Sequence, residues 1–340
     1  MSAAVLVRAL REPEALGSDV DWTGLISAAR AEQLIGTLAY RLEGAAVPER
    51  IEGLLAMHRA DAARTRVQAL WEAEMARRAL APLDVPVVLL KGTAFHAAGL
   101  EASVGRSVGD LDILVPRERI EEVEQALLGA GWERMKPAEG YDDFYYREWM
   151  HELPPLIHRE RDRMIDVHHT ILPLTARPKP VPGDLIDKSL QLDDGLRILS
   201  PEHMVVHAAA HLIADGDMAG GVRNLWDIDR LCRQFAAEHS DFYLSLAEEA
   251  TAHGLRLQTN RALRLSHHLY GTPVVGYSSP TRISYRPKAS DRLFLRRLLA
   301  RDGWGRQIRP VTRLGFFARG HAMRMPPSML ARHLWRKARS

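Results

Sequence analysis

Residues Val85–Val115 read VPVVLLKGTAFHAAGLEASVGRSVGDLDILV, and how that stretch divides into elements decides the fold. Val85 to Leu90 is a continuous apolar run, which suits a strand buried on both faces. Lys91-Gly92-Thr93 breaks the run and opens a short helix over Ala94–Gly99. Backbone N–H groups at such a start are unpaired, lie at the positive end of the helix dipole and can bind phosphate oxygens. Gly105 to Gly109 forms a loop. Asp110 to Val115 is a second strand, with Asp110, Asp112 and Leu114 on one side and Leu111, Ile113 and Val115 on the other. Two aspartates side by side on a buried strand need a counter-charge, and a divalent metal is the simplest one. D-x-D alone is common in solvated turns. Behind a glycine turn it points to metal-assisted phosphoryl chemistry.

Residues 1–81 ahead of this stretch read as helical, by the 3.6-residue rhythm of Trp22, Leu25, Ile26 and Ala29 and by the Ala/Arg/Glu-rich run Ala60–Leu80. Behind it, Pro116–Gly129 reads as a helix stopped at Gly129-Ala130-Gly131. The next block alternates and turns repeatedly. Its apolar runs are Phe144-Tyr145-Tyr146, Leu156-Ile157-His158 and Met164-Ile165-Asp166-Val167-His168. Glu160-Arg161-Asp162-Arg163 separates the last two as a hairpin loop would. Asp166 and His168 share a strand face, so this hairpin can bring a third carboxylate beside Asp110 and Asp112. Proline-rich Thr175–Leu199 reads as a linker. Ser200-Pro201-Glu202 then starts a helix, with Ser as N-cap and Pro in the first turn. His203, His207 and His211 follow at i, i+4, i+8. HxxxH is a usable zinc spacing, but Ala208 stands where HExxH has its Glu. The three histidines are therefore read as structural or second-layer groups, with a separate metal site as the lesser alternative. Asp227 and Asp229 fall on the next helix.

The bulk numbers narrow the class. The single cysteine, Cys232, excludes an internal disulfide and a Cys-based zinc site, and it fits a reducing cytosol. The first residues are too charged for a signal peptide, and no long uncharged apolar run predicts a membrane span, so a cytoplasmic protein is expected. The net charge of +3 hides an asymmetry: residues 281–340 hold 16 Lys/Arg and 2 Asp/Glu, against 30 and 41 in the rest. Three uses compete for this basic end: helices packed on the acidic body, nucleic-acid backbone binding, or an anionic membrane surface.

The motifs LLKGTA, GRSVGDLDILV and MIDVHH together resemble those of an uncharacterised bacterial nucleotidyltransferase family of the polymerase-β-like superfamily: LKG-x-A, R-x-x-x-D-x-D-x-L-V and a later D-x-H. The resemblance covers most of residues 20–275. It implies an α+β fold: a small mixed sheet with helices as the nucleotidyltransferase core, flanked by helical regions. The expected division is a helical region over 1–83, the core over 84–175, a helical domain over 200–275 and a basic helical segment over 276–340. It further implies transfer of an NMP from an NTP (ATP among them) to a hydroxyl of an acceptor: a small molecule, a peptide or protein, or an RNA. Asp110, Asp112 and Asp166 would hold two Mg²⁺ or Mn²⁺ ions, with Asp166 also the general base. Gly92 and Thr93 stand at the phosphate turn, where this chain has Lys-Gly-Thr instead of Gly-Ser. Lys91 and Arg106 would neutralise pyrophosphate, and His168 would orient Asp166 or the acceptor. His169 replaces a Trp expected after D-x-H. The competing reading is a non-catalytic nucleotide- or nucleic-acid-binding module on the same fold, contacting its partner through 281–340.

Overall fold

The computed structural model describes residues 2–17, 19–135, 141–273, 288–326 and 329–330. The N-terminal part is helical, as its periodicity predicts: α1 (Ser2–Arg11), α2 (Trp22–Ala31), α3 (Ile35–Arg41) and the 32-residue α4 (Glu49–Leu80). Asp21 caps α2 by accepting from the Gly24 N–H. Pro48 precedes α4, which buries Leu55, Ala62, Ala69, Ala73, Ala76 and Leu80 along one near-heptad stripe. After α4 come β1 (Val88–Leu89), α5 (Lys91–Ala97), β2 (Asp110–Leu114) and α6 (Ile120–Gly129), and α4 packs on α3, α5, β2 and α6. The backbones cross closely where α3 meets the loop after α5. A side chain on Gly36 would stand 2.4 Å from the Gly105 carbonyl oxygen, and Gly105 itself has φ +69°.

The chain continues through β3 (Trp132–Arg134), α7 (Tyr141–Trp149), β4 (Leu156–His158) and β5 (Met164–His168). Phe144, Tyr145 and Tyr146 therefore lie on a helix, not in an alternating, turning block. The hairpin reading of 156–168 holds, with Leu156 paired to Ile165 and Ile157 to Met164 in antiparallel register. The proline-rich stretch is more than a linker. It forms α8 (Pro182–Asp187), β6 (Leu190–Gln191) and β7 (Arg197–Ile198), and β7 adds to the sheet parallel to β1.

The result is a seven-stranded mixed sheet in the order β3-β4-β5-β2-β1-β7-β6, with β2·β5 and β1·β7 parallel and the other pairs antiparallel. Helices α9 (Pro201–Ala209), α10 (Gly221–Glu238), α11 (Phe242–Ala252) and α12 (Arg256–Tyr270) follow and pack on one another, and α12 also meets α1. Ser200 caps α9 as its sequence predicts, and α9 runs on through a π-helical turn, Ala210–Asp215. One apolar cluster reaches from Leu6 in α1 through the sheet to Phe316, so the helices share a core with the strands.

The basic C-terminal part contributes α13 (Ala289–Leu298) and α14 (Pro310–Arg324), joined by Phe294 against Phe316 with ring centres 4.9 Å apart. Some of its charge is spent on the body. Arg301 reaches back to buried Glu32, with Nε 2.7 Å from Oε1, and Arg297 lies 3.7 Å from Asp217. Arg292, Arg296, Arg306 and Arg313 remain exposed. Residues 274–287 and 331–340, including Trp335, lie outside the described residues.

Candidate active site

Register assembles the site. In the parallel pair β2·β5, Asp112 stands beside Asp166 and Leu114 beside His168. Alternation then puts Asp110, Asp112, Asp166 and His168 on one face of the sheet and Leu111, Ile113, Ile165 and Val167 on the other, where they are buried. Carboxylate oxygens of Asp110, Asp112 and Asp166 come within 4.8 Å of one another. The hairpin thus brings the third acid beside the first two, as its position two residues before His168 predicts.

Lys91 enters at the turn between β1 and α5 with φ +49°, a left-handed backbone that costs a side-chain-bearing residue about 1–2 kcal/mol. Its Nζ lies 2.5 Å from Asp112 Oδ1, and His168 Nε2 lies 2.9 Å from the same oxygen. Burial opposes ionisation of both partners. The Lys91 ammonium and the hydrogen bond from His168 outweigh it and hold Asp112 well below the usual carboxylate range, while the Asp112 charge holds Lys91 above its ordinary value.

Asp166, its neighbour across the ladder, is in the opposite state. Burial first, then the charges on Asp112 and Glu152, push it up to about 7 against the pull of His168. Its Oδ1 is buried and has no hydrogen-bond partner. The local cations are spent on Asp112, so the triad holds more negative charge than its surroundings balance. Three converging carboxylates with an orphaned oxygen fit a hard divalent cation.

Glu152 joins this face without a motif to announce it. Backbone pairing of 151–153 with 167–169, through Leu153 N–H to Val167 O and His169 N–H to His151 O at 2.9 Å each, sets Glu152 opposite His168. Glu152 Oε2 then lies 3.4 Å from His168 Nδ1 and 3.5 Å from His151 Nε2. The only signal in the sequence is an acid at the distance a returning strand allows.

Beside the triad lies a cavity of about 510 Å³, lined by Lys91, Asp110, Arg106, Arg223, His207 and His211 among others. Its size and mix of apolar wall and few polar groups suit a small ligand. Arg106 is not a free cation here: Nη1 holds Asp227 Oδ2 at 2.7 Å, and the guanidinium lies over the Phe95 ring. Gly92 permits this, because a Cβ there would stand 2.6 Å from Arg106 Nε. Burial keeps Asp227 raised in spite of Arg106 and Arg223, and burial lowers Arg223 to about 10. His207 and His211 line this cavity, beyond the structural role their spacing suggested. Burial holds His207 neutral. His203 turns elsewhere. Thr93 is buried and borders a narrow cleft with Gly109 and Asp110; it does not line the main cavity.

The sequence profile of a family described as uncharacterised nucleotidyltransferases matches residues 18–271. The chain belongs to that family. The match spans the sheet, the acidic triad, most of the cavity wall and helices α2 to α12, and ends short of the basic segment. Nucleotidyltransferases take an NTP as substrate and usually need a divalent metal, which agrees with the chemistry of the donor set. No curated protein matches the chain. Among the described residues no helix of this nucleotidyltransferase is long and apolar enough to cross a membrane.

Proposed function

We propose that this nucleotidyltransferase moves an NMP from an NTP to an acceptor hydroxyl on a polymerase-β-like core centred on 84–175, with the helical regions 1–83 and 200–275 as the walls of its substrate cavity. The observation that carries this reading is Asp166: a carboxylate with one buried, unpartnered oxygen, set by register against Asp112 and raised to about 7. A pure binding module has no use for an acid held at that cost.

Asp110, Asp112 and Asp166 would hold Mg²⁺ or Mn²⁺ as a pair. When bound, the ions would supply charge neutralisation of the triphosphate and alignment of the attacking and leaving oxygens. The chain's own residues do the rest. Lys91, already paired to Asp112, balances charge where the leaving pyrophosphate gathers. Arg106 faces the same cavity, but is held by Asp227, so it fixes the turn at Gly92 and meets phosphate only as the Asp227 contact is shared. With its carboxyl raised to about 7, Asp166 is ionised in a sizeable fraction near neutral pH, and in that form it takes the proton from the acceptor hydroxyl. His168, fixed between Asp112 and Glu152, keeps Asp112 ionised and oriented. The cavity encloses the rest of a small substrate, with neutral His207 as a hydrogen-bond partner on its wall.

The test is to incubate the purified protein with each labelled NTP, Mg²⁺ or Mn²⁺ and a cell extract, and to identify the labelled product. Metal-dependent release of pyrophosphate that Asp110→Ala and Asp166→Ala both abolish is the expected result. Unchanged release in those variants removes the assignment. Steeply salt-dependent RNA binding with no turnover favours the binding module instead.

A further inference from the structure

Some distance along the fold from the acidic triad, four side chains converge where α8, α9 and α11 meet. Asp184 comes from α8, His203 from the first turn of α9, Glu249 from α11, and His253 from the residue that caps α11. His203 and His253 are fully buried, with rings edge to face and centres 4.8 Å apart. Their Nε2 atoms stand 3.0 Å apart. His203 Nε2 lies 2.9 Å from Glu249 Oε2 and 3.7 Å from Asp184 Oδ2, while His253 Nε2 lies 3.3 Å from Asp184 Oδ2 and 3.9 Å from Glu249 Oε2. Zinc bonds to nitrogen and carboxylate oxygen are roughly 2.0–2.2 Å long, so neighbouring ligands around a tetrahedral zinc stand about 3.3–3.6 Å apart. The five separations straddle that edge, and all four donor atoms lie within 4.8 Å of one another.

We propose that Asp184, His203, Glu249 and His253 form a structural zinc site, separate from the catalytic triad. Two imidazoles and two carboxylates are a donor set that suits zinc, whereas an all-oxygen set suits magnesium or calcium. Two contacts define what zinc has to displace. Lys188 Nζ caps the cluster from the solvent side, 3.0 Å from Glu249 Oε2 and 3.1 Å from Asp184 Oδ2. It competes for the same two oxygens and swings outward when the ion binds. The Val181 N–H donates to His253 Nδ1 at 3.1 Å, so without an ion the His253 proton sits on Nε2. When zinc binds Nε2 the proton moves to Nδ1, which can then no longer accept, and the Val181 contact opens. The gain is a clamp on three elements. One turn beyond His203, the same helix presents His207 to the substrate cavity, so the clamp also fixes a cavity wall.

The full chain, stripped with chelator and titrated with zinc alone, is expected to take up one tight equivalent and to rise in thermal midpoint as it does. His203→Ala and His253→Ala should weaken that equivalent by at least about a hundredfold, while Asp110→Asn retains it. Where the alanine variants do not fold, Glu249→Gln, checked by circular dichroism, carries the same expectation. Lys188→Met should tighten zinc, because the competitor is gone, and cobalt in place of zinc should show tetrahedral absorption. Absence of a tight equivalent overturns the site. So does its loss in Asp110→Asn, or a cluster that Lys188→Met unfolds instead of strengthening its zinc binding.

Discussion

The triad on the sheet and the Asp184–His203–Glu249–His253 cluster between helices hold similar residue types in opposite arrangements. At the triad, oxygens alone converge, one of them is an orphan, and Asp110 opens onto a cavity. At the helical cluster, nitrogen and oxygen are mixed, the histidines are fully buried, and Lys188 closes the outer side. The carboxylates report the difference. Asp166 is raised by burial and by neighbouring acids, whereas Asp184 and Glu249, opposed by their partial burial, are lowered by the hydrogen bond and charge of Lys188 and by the histidines. That contrast fits the two proposed roles: ions exchanged with substrate at the open, unbalanced triad, and helices braced at the closed, balanced cluster.

The sharpest way to break that contrast is through activity. On the proposed function Asp110→Asn is expected to lower NMP transfer by at least about 10³-fold, more than the loss of a single oxyanion donor, because it would empty a metal position. His253→Ala should act mainly on thermal stability. Equal losses of kcat in both variants would erase the distinction.

Stability against pH separates the two next. The folded pKa of Asp166, about 7, lies above the roughly 3.9 of an unfolded aspartate. Between those values the folded state holds the extra proton, so stability of the metal-free protein is lost as pH rises from about 4 through 7. Asp166→Asn carries no charge to bury, and should gain roughly 2–4 kcal/mol at pH 8 and close to nothing near pH 4, measured by urea unfolding in chelator. Asp184 and Glu249 have lowered pKa values, and their contribution is lost in the other direction, as pH falls below the ordinary carboxylate range.

Lys91→Met should cost about 3 kcal/mol, because it leaves Asp112 buried with His168 as its remaining close partner; Asp112→Asn in the same chain should return most of that. Unfolding curves of the single and double variants measure the coupling. The smallest effect is expected at Glu152→Gln, about tenfold in kcat with little change in unfolding midpoint, since Glu152 acts through His168.

Much of this is legible in the sequence. The alternation in Asp110–Val115 and Met164–His168 places each aspartate on the correct strand face, and the charged tetrad between the last two runs marks the hairpin. What periodicity could not show is which strands are neighbours. The parallel β2·β5 register, the return of 151–153 that delivers Glu152, and the addition of β7 beside β1 are long-range pairings with no local signature. Phe144-Tyr145-Tyr146 lies on α7 and not in an alternating block, because a three-residue apolar run is too short to distinguish helix from strand. The three histidines at spacing four show the same limit. A helix face groups them, yet His207 and His211 meet the cavity while His203 meets residues about fifty positions away on another helix. The sheet also draws a strand from beyond the 84–175 core, since β7 pairs with β1.

The tie between Arg301 and Glu32 bears on how the chain is made. Glu32 is almost fully buried, burial raises its pKa even against Arg301, and the partner follows 269 residues later. At synthesis rates of roughly 5–20 residues per second, that gap lasts on the order of tens of seconds. During that time the helices around Glu32 are complete on the ribosome but lack the guanidinium that seals them. A segment made late thus closes one made early, and the helices around Glu32 stay unlatched until Arg301 arrives.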